Sequence, residues 1–184
     1  MEHKGTKYIE TRRLILRPFR TEDAPAMYRN WASDAEVTKF LTWPAHTNAS
    51  ITESILREWC ANYSQKDYYQ WAIVFKESAD EPIGSISVVN PIKETIKMAH
   101  IGYCIGKTWW HKGITSEAFS AVIDFLFDEV GVNRIEARHD PRNPNSGKVM
   151  QKCGLRYEGT SRQSDWNNQG ICDACLYALL TSDR

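Results

Sequence analysis

Apolar and basic residues alternate through residues 11–19 ahead of Pro18, a period of two that predicts a strand. The period then lengthens. Thr21, Glu22 and Asp23 punctuate the start of a helix running to about Trp31, with Pro25 in its first turn, where proline is tolerated. A short helix over 33–40 and a longer one over about 50–64 follow, the latter with Ile51, Ile55, Leu56, Trp59 and Cys60 on one stripe. Three β-type runs come next, at 68–76, 82–90 and 97–106. Turn-forming connections around Ser78-Ala79-Asp80 and Asn90-Pro91 predict antiparallel hairpins. Residues 115–129 carry the sharpest helical pattern. Phe119, Val122, Ile123, Leu126 and Val130 form its apolar stripe, Glu117, Ser120, Asp124 and Asp128 oppose it, and Gly131 stops it. The alternating stretch 134–139 makes a strand–helix–strand unit, which predicts a right-handed crossover. A short helix between Asn143 and Gly154 and two strands, 155–163 and 171–181, joined at Asn167-Asn168-Gln169-Gly170, complete the chain.

Composition narrows the class without changing this order. The 184 residues are 42% apolar and 25% charged with no net charge, as expected of one globular domain spanning 1–184. The absence of a Lys/Arg cluster argues against a nucleic-acid surface but leaves room for a basic pocket around a phosphorylated ligand. No apolar run approaches the ~20 residues that span a bilayer, and the polar start, Met1 to Gly5, lacks a signal-peptide core. A cytoplasmic protein without a membrane segment is expected. Five scattered cysteines do not suggest a disulfide framework. Cys172 and Cys175 form a lone C-x-x-C whose members face opposite sides if they lie on a strand. The histidines show neither H-x-x-x-H nor H-E-x-x-H spacing, so no metal is expected.

The chemistry concentrates in one loop. Trp109-Trp110-His111-Lys112-Gly113-Ile114-Thr115-Ser116-Glu117-Ala118 passes from strand to helix with glycine in its middle and small residues at the helix mouth. Amides at such a start have no partner inside the helix, and the helix dipole adds positive character, which suits a phosphate or diphosphate. Neither G-x-x-x-x-G-K-[ST] nor G-x-G-x-x-G is present, so nucleotide hydrolysis and dinucleotide binding lose their usual support.

Gly113-Ile114-Thr115-Ser116-Glu117-Ala118 resembles the acetyl-CoA diphosphate loop of the GNAT acetyltransferase superfamily, in the branch that includes the ribosomal-protein N-terminal acetyltransferases. The T-x-R-L-x-L-R-P opening at 11–18, the Asn143-x-x-Ser146 pair and Lys152-Cys153-Gly154-Leu155 are similar to further motifs of that branch. The resemblance implies an α+β fold, a central mixed, mostly antiparallel twisted sheet of about seven strands flanked by helices. It also implies acetyl-CoA as co-substrate and an amine acceptor, either a protein N-terminus or a small molecule, with a monomer or a homodimer both open. In its terms His111, Lys112, Gly113, Ile114, Thr115 and Ser116 cradle the diphosphate. Tyr103, Cys104 and Ile105 pair with the pantetheine arm, a backbone N–H near Cys104 and Ile105 holds the thioester carbonyl, and Asn143 contacts the arm. Asn143 also reads as the N-cap of its helix, and both roles stand together if the cap faces the cofactor.

Acetyl transfer needs a base for the amine and a donor for the departing sulfur. Many superfamily members carry a tyrosine acid seven residues after the asparagine; Met150 stands there in this chain. Ser146 takes its place as candidate donor, against a plain reading as a polar first-turn residue. His100 is the candidate base, against a surface histidine at a strand start, with Glu36, Glu94 and Asp165 also bordering the region. Glu117 is accounted for by the helix dipole. Trp31, Phe40 and Trp43 are candidates for the acceptor wall, with core packing as the competing role. Arg13 and Arg17 read as the solvated face of an edge strand. A module that binds acyl-CoA without turnover is the alternative from another functional class.

Overall fold

A computed structural model describes all of Met1–Arg184. One eight-stranded sheet runs through it in the order β1-β2-β3-β4-β5-β6-β8-β7. The strands are β1 (Ile9–Glu10), β2 (Leu14–Arg17), β3 (Gln70–Phe75), β4 (Pro82–Val88), β5 (Met98–Ile105), β6 (Arg134–His139), β7 (Arg156–Asn167) and β8 (Gly170–Leu180). The strand beyond the seven expected is β1, a two-residue pairing of Ile9 and Glu10 with Leu16 and Ile15, too short to leave a period. Every neighbouring pair is antiparallel except β5 and β6, which are joined by the expected crossover helix.

The helices are α1 (Ala24–Met27), α2 (Ala35–Thr38), α3 (Ala49–Asn62), α4 (Ile114–Phe125) and α5 (Pro144–Lys152). The helix expected over 21–31 is composite: a tight turn at Thr21–Asp23, then α1, then a wide π turn at Tyr28–Ala32. Likewise α4 widens into a π turn, Leu126–Val130, before Gly131 ends it with φ 78°. Asn48 caps α3, its side-chain oxygen accepting from the Ile51 N–H at 3.3 Å. The face of α3 that packs is centred on Thr52 and Leu56, one residue round from the apolar stripe; Ile51 is exposed.

Because β3 is central, its successive residues pack on both faces. Trp71 and Ile73 join the larger core with Leu14, Ile86, Ile101 and the Phe119 stripe of α4. Ala72 and Val74 face a smaller one with Phe19, Met27 and Leu56. Trp31 belongs to this second core, fully buried, its indole N–H without a partner. It is therefore not an acceptor wall, since the π turn rotates it inward.

The two arginines expected on a solvated edge are both committed. Arg17 is 3% exposed. Its guanidinium donates to Asp23 at 2.7 and 2.9 Å and to the Asp80 carboxylate at 3.2 Å. Asp23, six residues further on, and Asp80, from the connection between β3 and β4, neutralise the charge. Replacing Arg17 by Met leaves Asp23 buried without its ionic partner and lowers stability by roughly 3–5 kcal/mol in urea titration, whereas Asp23→Ala leaves Arg17 still paired with Asp80 and costs less. The double variant loses less than the sum.

Candidate active site

β5 and β6 pair only at Met98–Arg134, Ala99–Ile135 and His100–Glu136. Beyond that point β6 follows β8 while β5 stays on β4, and a gap opens inside the sheet. The His100 carbonyl and the Gly106 N–H bond toward β4, so strand alternation turns the backbone of Tyr103 and Ile105 toward the gap and that of Cys104 away from it. Of the two residues nominated for the carbonyl-holding amide, Ile105 is the one so oriented. Its own carbonyl is taken by the indole N–H of Trp110 at 2.9 Å.

The loop after β5 returns at the mouth of this gap. Gly113 has φ 70° and His111 φ 59°, left-handed conformations that swing the chain into α4. No N–H from His111 to Ser116 donates to any group of the protein, whereas Glu117 N–H already bonds back to the Gly113 carbonyl. Six consecutive donors are thus free at a helix start. Arg13 steadies them from β2, its Nη1 donating to the Lys112 carbonyl at 3.0 Å and its Nε to Glu117 at 2.6 Å. Burial alone would raise the Glu117 pKa, but hydrogen bonds from Thr11 and Arg13 hold it below the usual carboxylate range. Glu117 fastens the segment before β2 to α4, its Oε1 accepting from Thr11 and the Arg13 N–H and its Oε2 from Arg13 Nε.

A cleft of about 310 Å³ joins these parts. It is lined by Tyr103, Cys104 and Ile105, by the loop from Trp109 through Ser116 apart from Lys112, by one face of α5, and by Val37, Phe40 and Leu41. Asn143 stands at the N-cap position of α5 yet its side chain makes no capping bond; the Ser146 N–H is met instead by the Asn143 backbone carbonyl at 3.2 Å. The carboxamide therefore remains available on the cleft wall. Ser146 lines the same wall, and the Tyr103 hydroxyl spans to it, 2.9 Å from its carbonyl oxygen and 3.1 Å from its Oγ. Burial drives the Tyr103 pKa well above that of a free phenol, so this hydroxyl stays protonated.

The remaining candidates lie apart. His100 projects from the opposite face to α4, on the side of Cys104, into a separate cavity of about 190 Å³ shared with Lys93, Glu136 and Arg138. Burial, with Arg138 nearby, lowers its pKa below 6.5, so the ring is neutral at physiological pH. The intervening residue on that face is Gly102, and the Val89 side chain fills the space above it, its Cγ1 2.5 Å from where a Cβ would stand. Trp43 packs on His46 at 5.3 Å beside the apolar wall and does not line the cleft. Glu36 is clasped by Lys107, Glu94 by His3 at 3.4 Å and Asp165 by Arg138 at 2.9 Å.

Sequence reasoning missed Trp110 as a backbone clamp and the α5 face formed by Asn145, Lys148, Val149 and Lys152. That face was legible as an i, i+3, i+4, i+7 stripe, but a mixed polar stripe on a short helix resembles any solvated one. The five cysteines are all unpaired, and Cys172 and Cys175 bond to different neighbours, Asn167 and Thr160.

Residues 13–156 match the family model described as Acetyltransferase (GNAT) domain. An uncharacterized N-acetyltransferase, p20, of Bacillus licheniformis is 32% identical over 94% of this chain and 95% of its own length. The ribosomal-protein-serine acetyltransferase of Escherichia coli is 30% identical over 78% of this chain and 79% of its own. Among solved structures, the ribosomal L7/L12 alpha-N-protein acetyltransferase RimL in complex with coenzyme A superposes with a TM-score of 0.84 at 20% identity, covering 97% of this chain and 100% of that one.

Proposed function

This chain belongs to the GNAT acetyltransferase family and is an acetyl-CoA-dependent N-acetyltransferase, and on that footing we propose that its acceptor is the N-terminal α-amine of a protein. The observation that carries the transfer chemistry is the parting of β5 from β6 beyond His100–Glu136, beside six unpaired amides. Acetyl-CoA brings an activated acetyl thioester; grip, alignment and proton handling fall to the chain. The amides of His111, Lys112, Gly113, Ile114, Thr115 and Ser116 hold the diphosphate, aided by the α4 dipole. The Tyr103 backbone and the Asn143 carboxamide bind the arm that follows. Ile105 N–H donates to the carbonyl oxygen as charge develops there. Fixing both reactants in one gap is worth roughly 7–11 kcal/mol of barrier in good cases.

His100 acts as general base through water from the adjacent cavity, its neutral ring on the same face of β5 as Cys104. Ser146 donates to the departing sulfur by turning its hydroxyl hydrogen away from the Tyr103 oxygen, 3.1 Å off, the Tyr103 hydrogen being held by the Ser146 carbonyl. A serine is a weak acid, but a thiolate leaves readily and a hydrogen bond is enough. The likeness to the ribosomal-protein-serine acetyltransferase supports a protein N-terminus as acceptor.

A thiol-release assay with N-terminal peptides, their α-blocked copies carrying internal lysine, amino acids and polyamines tests the acceptor. Free α-amines have pKa near ~7.7–8.0 against ~10.4 for lysine, so near pH 7.5 only the former present a sizeable neutral fraction. Unblocked peptides are expected to release CoA and blocked ones not. Turnover confined to polyamines or amino acids would replace the proposed acceptor with a small molecule. Binding of acetyl-CoA without release in any arm would make this a binding module.

A further inference from the structure

The wall that covers the acceptor side of the cleft has few attachments of its own. Between α2 and α3 the chain has no regular secondary structure. Within residues 38–43 the other backbone bonds are local ones, Thr38 N–H to Asp34 and Leu41 N–H to Thr38. Every hydrogen bond reaching this stretch from a distant part of the chain comes from Asn168, in the β7–β8 turn. Its Nδ2 donates to the carbonyls of Thr38 and Trp43, both at 2.8 Å, and its backbone N–H to that of Leu41 at 3.1 Å. One carboxamide thus spends both of its hydrogens on holding the wall. The preceding residue reaches the other way. Asn167, 5% exposed, donates to Asp140 Oδ2 at 2.9 Å. Asp140 accepts in addition from the Arg142 backbone and guanidinium and so fixes the loop that ends at Asn143.

We propose that the β7–β8 turn is the positioning strut of the acceptor subsite, with Asn168 suspending residues 38–43 over the gap and Asn167 tying the same turn to the cofactor-side loop. The inference rests on reading the cleft as the acetyl-transfer site. Neither asparagine touches the reacting atoms; each acts through the segment it holds. The two contacts separate the two subsites. Loss of the Asn168 carboxamide leaves only the backbone bond to Leu41 and loosens the acceptor wall alone, whereas loss of Asn167 loosens the loop before Asn143 as well.

Two measurements on Asn168→Ala test it. Amide hydrogen exchange across residues 38–45 is expected to quicken about tenfold, in line with the loss of two net hydrogen bonds. Calorimetric affinity for acetyl-CoA stays within about twofold, while KM for an unblocked N-terminal peptide rises about tenfold with little change in kcat. Asn168→Ser, which keeps one donor, falls between, and Asn167→Ala weakens acetyl-CoA binding too. Unchanged exchange in residues 38–45 of a folded Asn168→Ala protein overturns the strut. So does an acetyl-CoA affinity that falls by the same factor as the peptide KM rises. If no peptide turns over in the native protein, the acceptor reading fails, and the exchange experiment still decides the strut.

Discussion

Replacing His100 by glutamine lowers kcat/KM for the acceptor about 100-fold, within the range that positioned general bases contribute. The ring is half-buried at the vertex where β5 and β6 part, and burial holds its pKa below 6.5. The sign follows directly. Below that pKa the ring is protonated and accepts nothing, so native kcat/KM climbs with pH through it. A second rise accompanies the neutralising of the free α-amine near ~7.7–8.0. Glutamine keeps a polar group in the cavity but takes no proton, so the lower limb vanishes and the upper one stays. Acetyl-CoA affinity and melting temperature remain near native values, because His100 lies outside the 310 Å³ cleft. A full pH–rate profile of the variant is the check, and persistence of the acidic limb would assign the base elsewhere.

The second large effect concerns Gly113. A valine there is expected to weaken acetyl-CoA binding at least about 100-fold by calorimetry. Its φ of 70° lies where a β-branched residue is strained. Relief requires turning the peptide units on either side, which takes the amides of Gly113 and Ile114 out of line. Hydrogen bonds to a charged group are worth roughly 1.5–3 kcal/mol each. The added side chain would also meet Lys152 Nζ, 3.4 Å from the position of its first carbon, and Arg13 Nη2 at 3.7 Å. Gly113→Ala, with less strain, falls between. An unimpaired valine variant would show that the diphosphate is held by other groups.

What could be read from the chain beforehand were features written in local periodicity or glycine chemistry. Gly113 and Gly131 bracket α4 as a left-handed entry and a left-handed stop, and the Phe119–Val122–Leu126 stripe points to the core side without further information. Features that depend on what arrives from far away were not legible. Arg17 looks solvated until Asp80 is brought to it from 63 residues away, and Trp31 looks available until a π turn rotates it inward. Asn143 satisfied the residue preferences for a cap, but the backbone N–H it would have capped is met by a carbonyl, which freed its side chain. The strand pairing also stayed hidden, since three paired residues and eight have the same alternation.

A sheet that opens in its middle has an interior edge, and edges invite foreign strands to dock and stack. Trp110 blunts this one. With its indole on the Ile105 carbonyl, the tip of β5 lacks one of the alternating acceptors that an incoming ribbon of peptide needs to zip along it. The exposed notch is thereby a poor template for self-association, and removal of that single indole should leave a protein more prone to precipitate on storage than its surface charge alone would suggest.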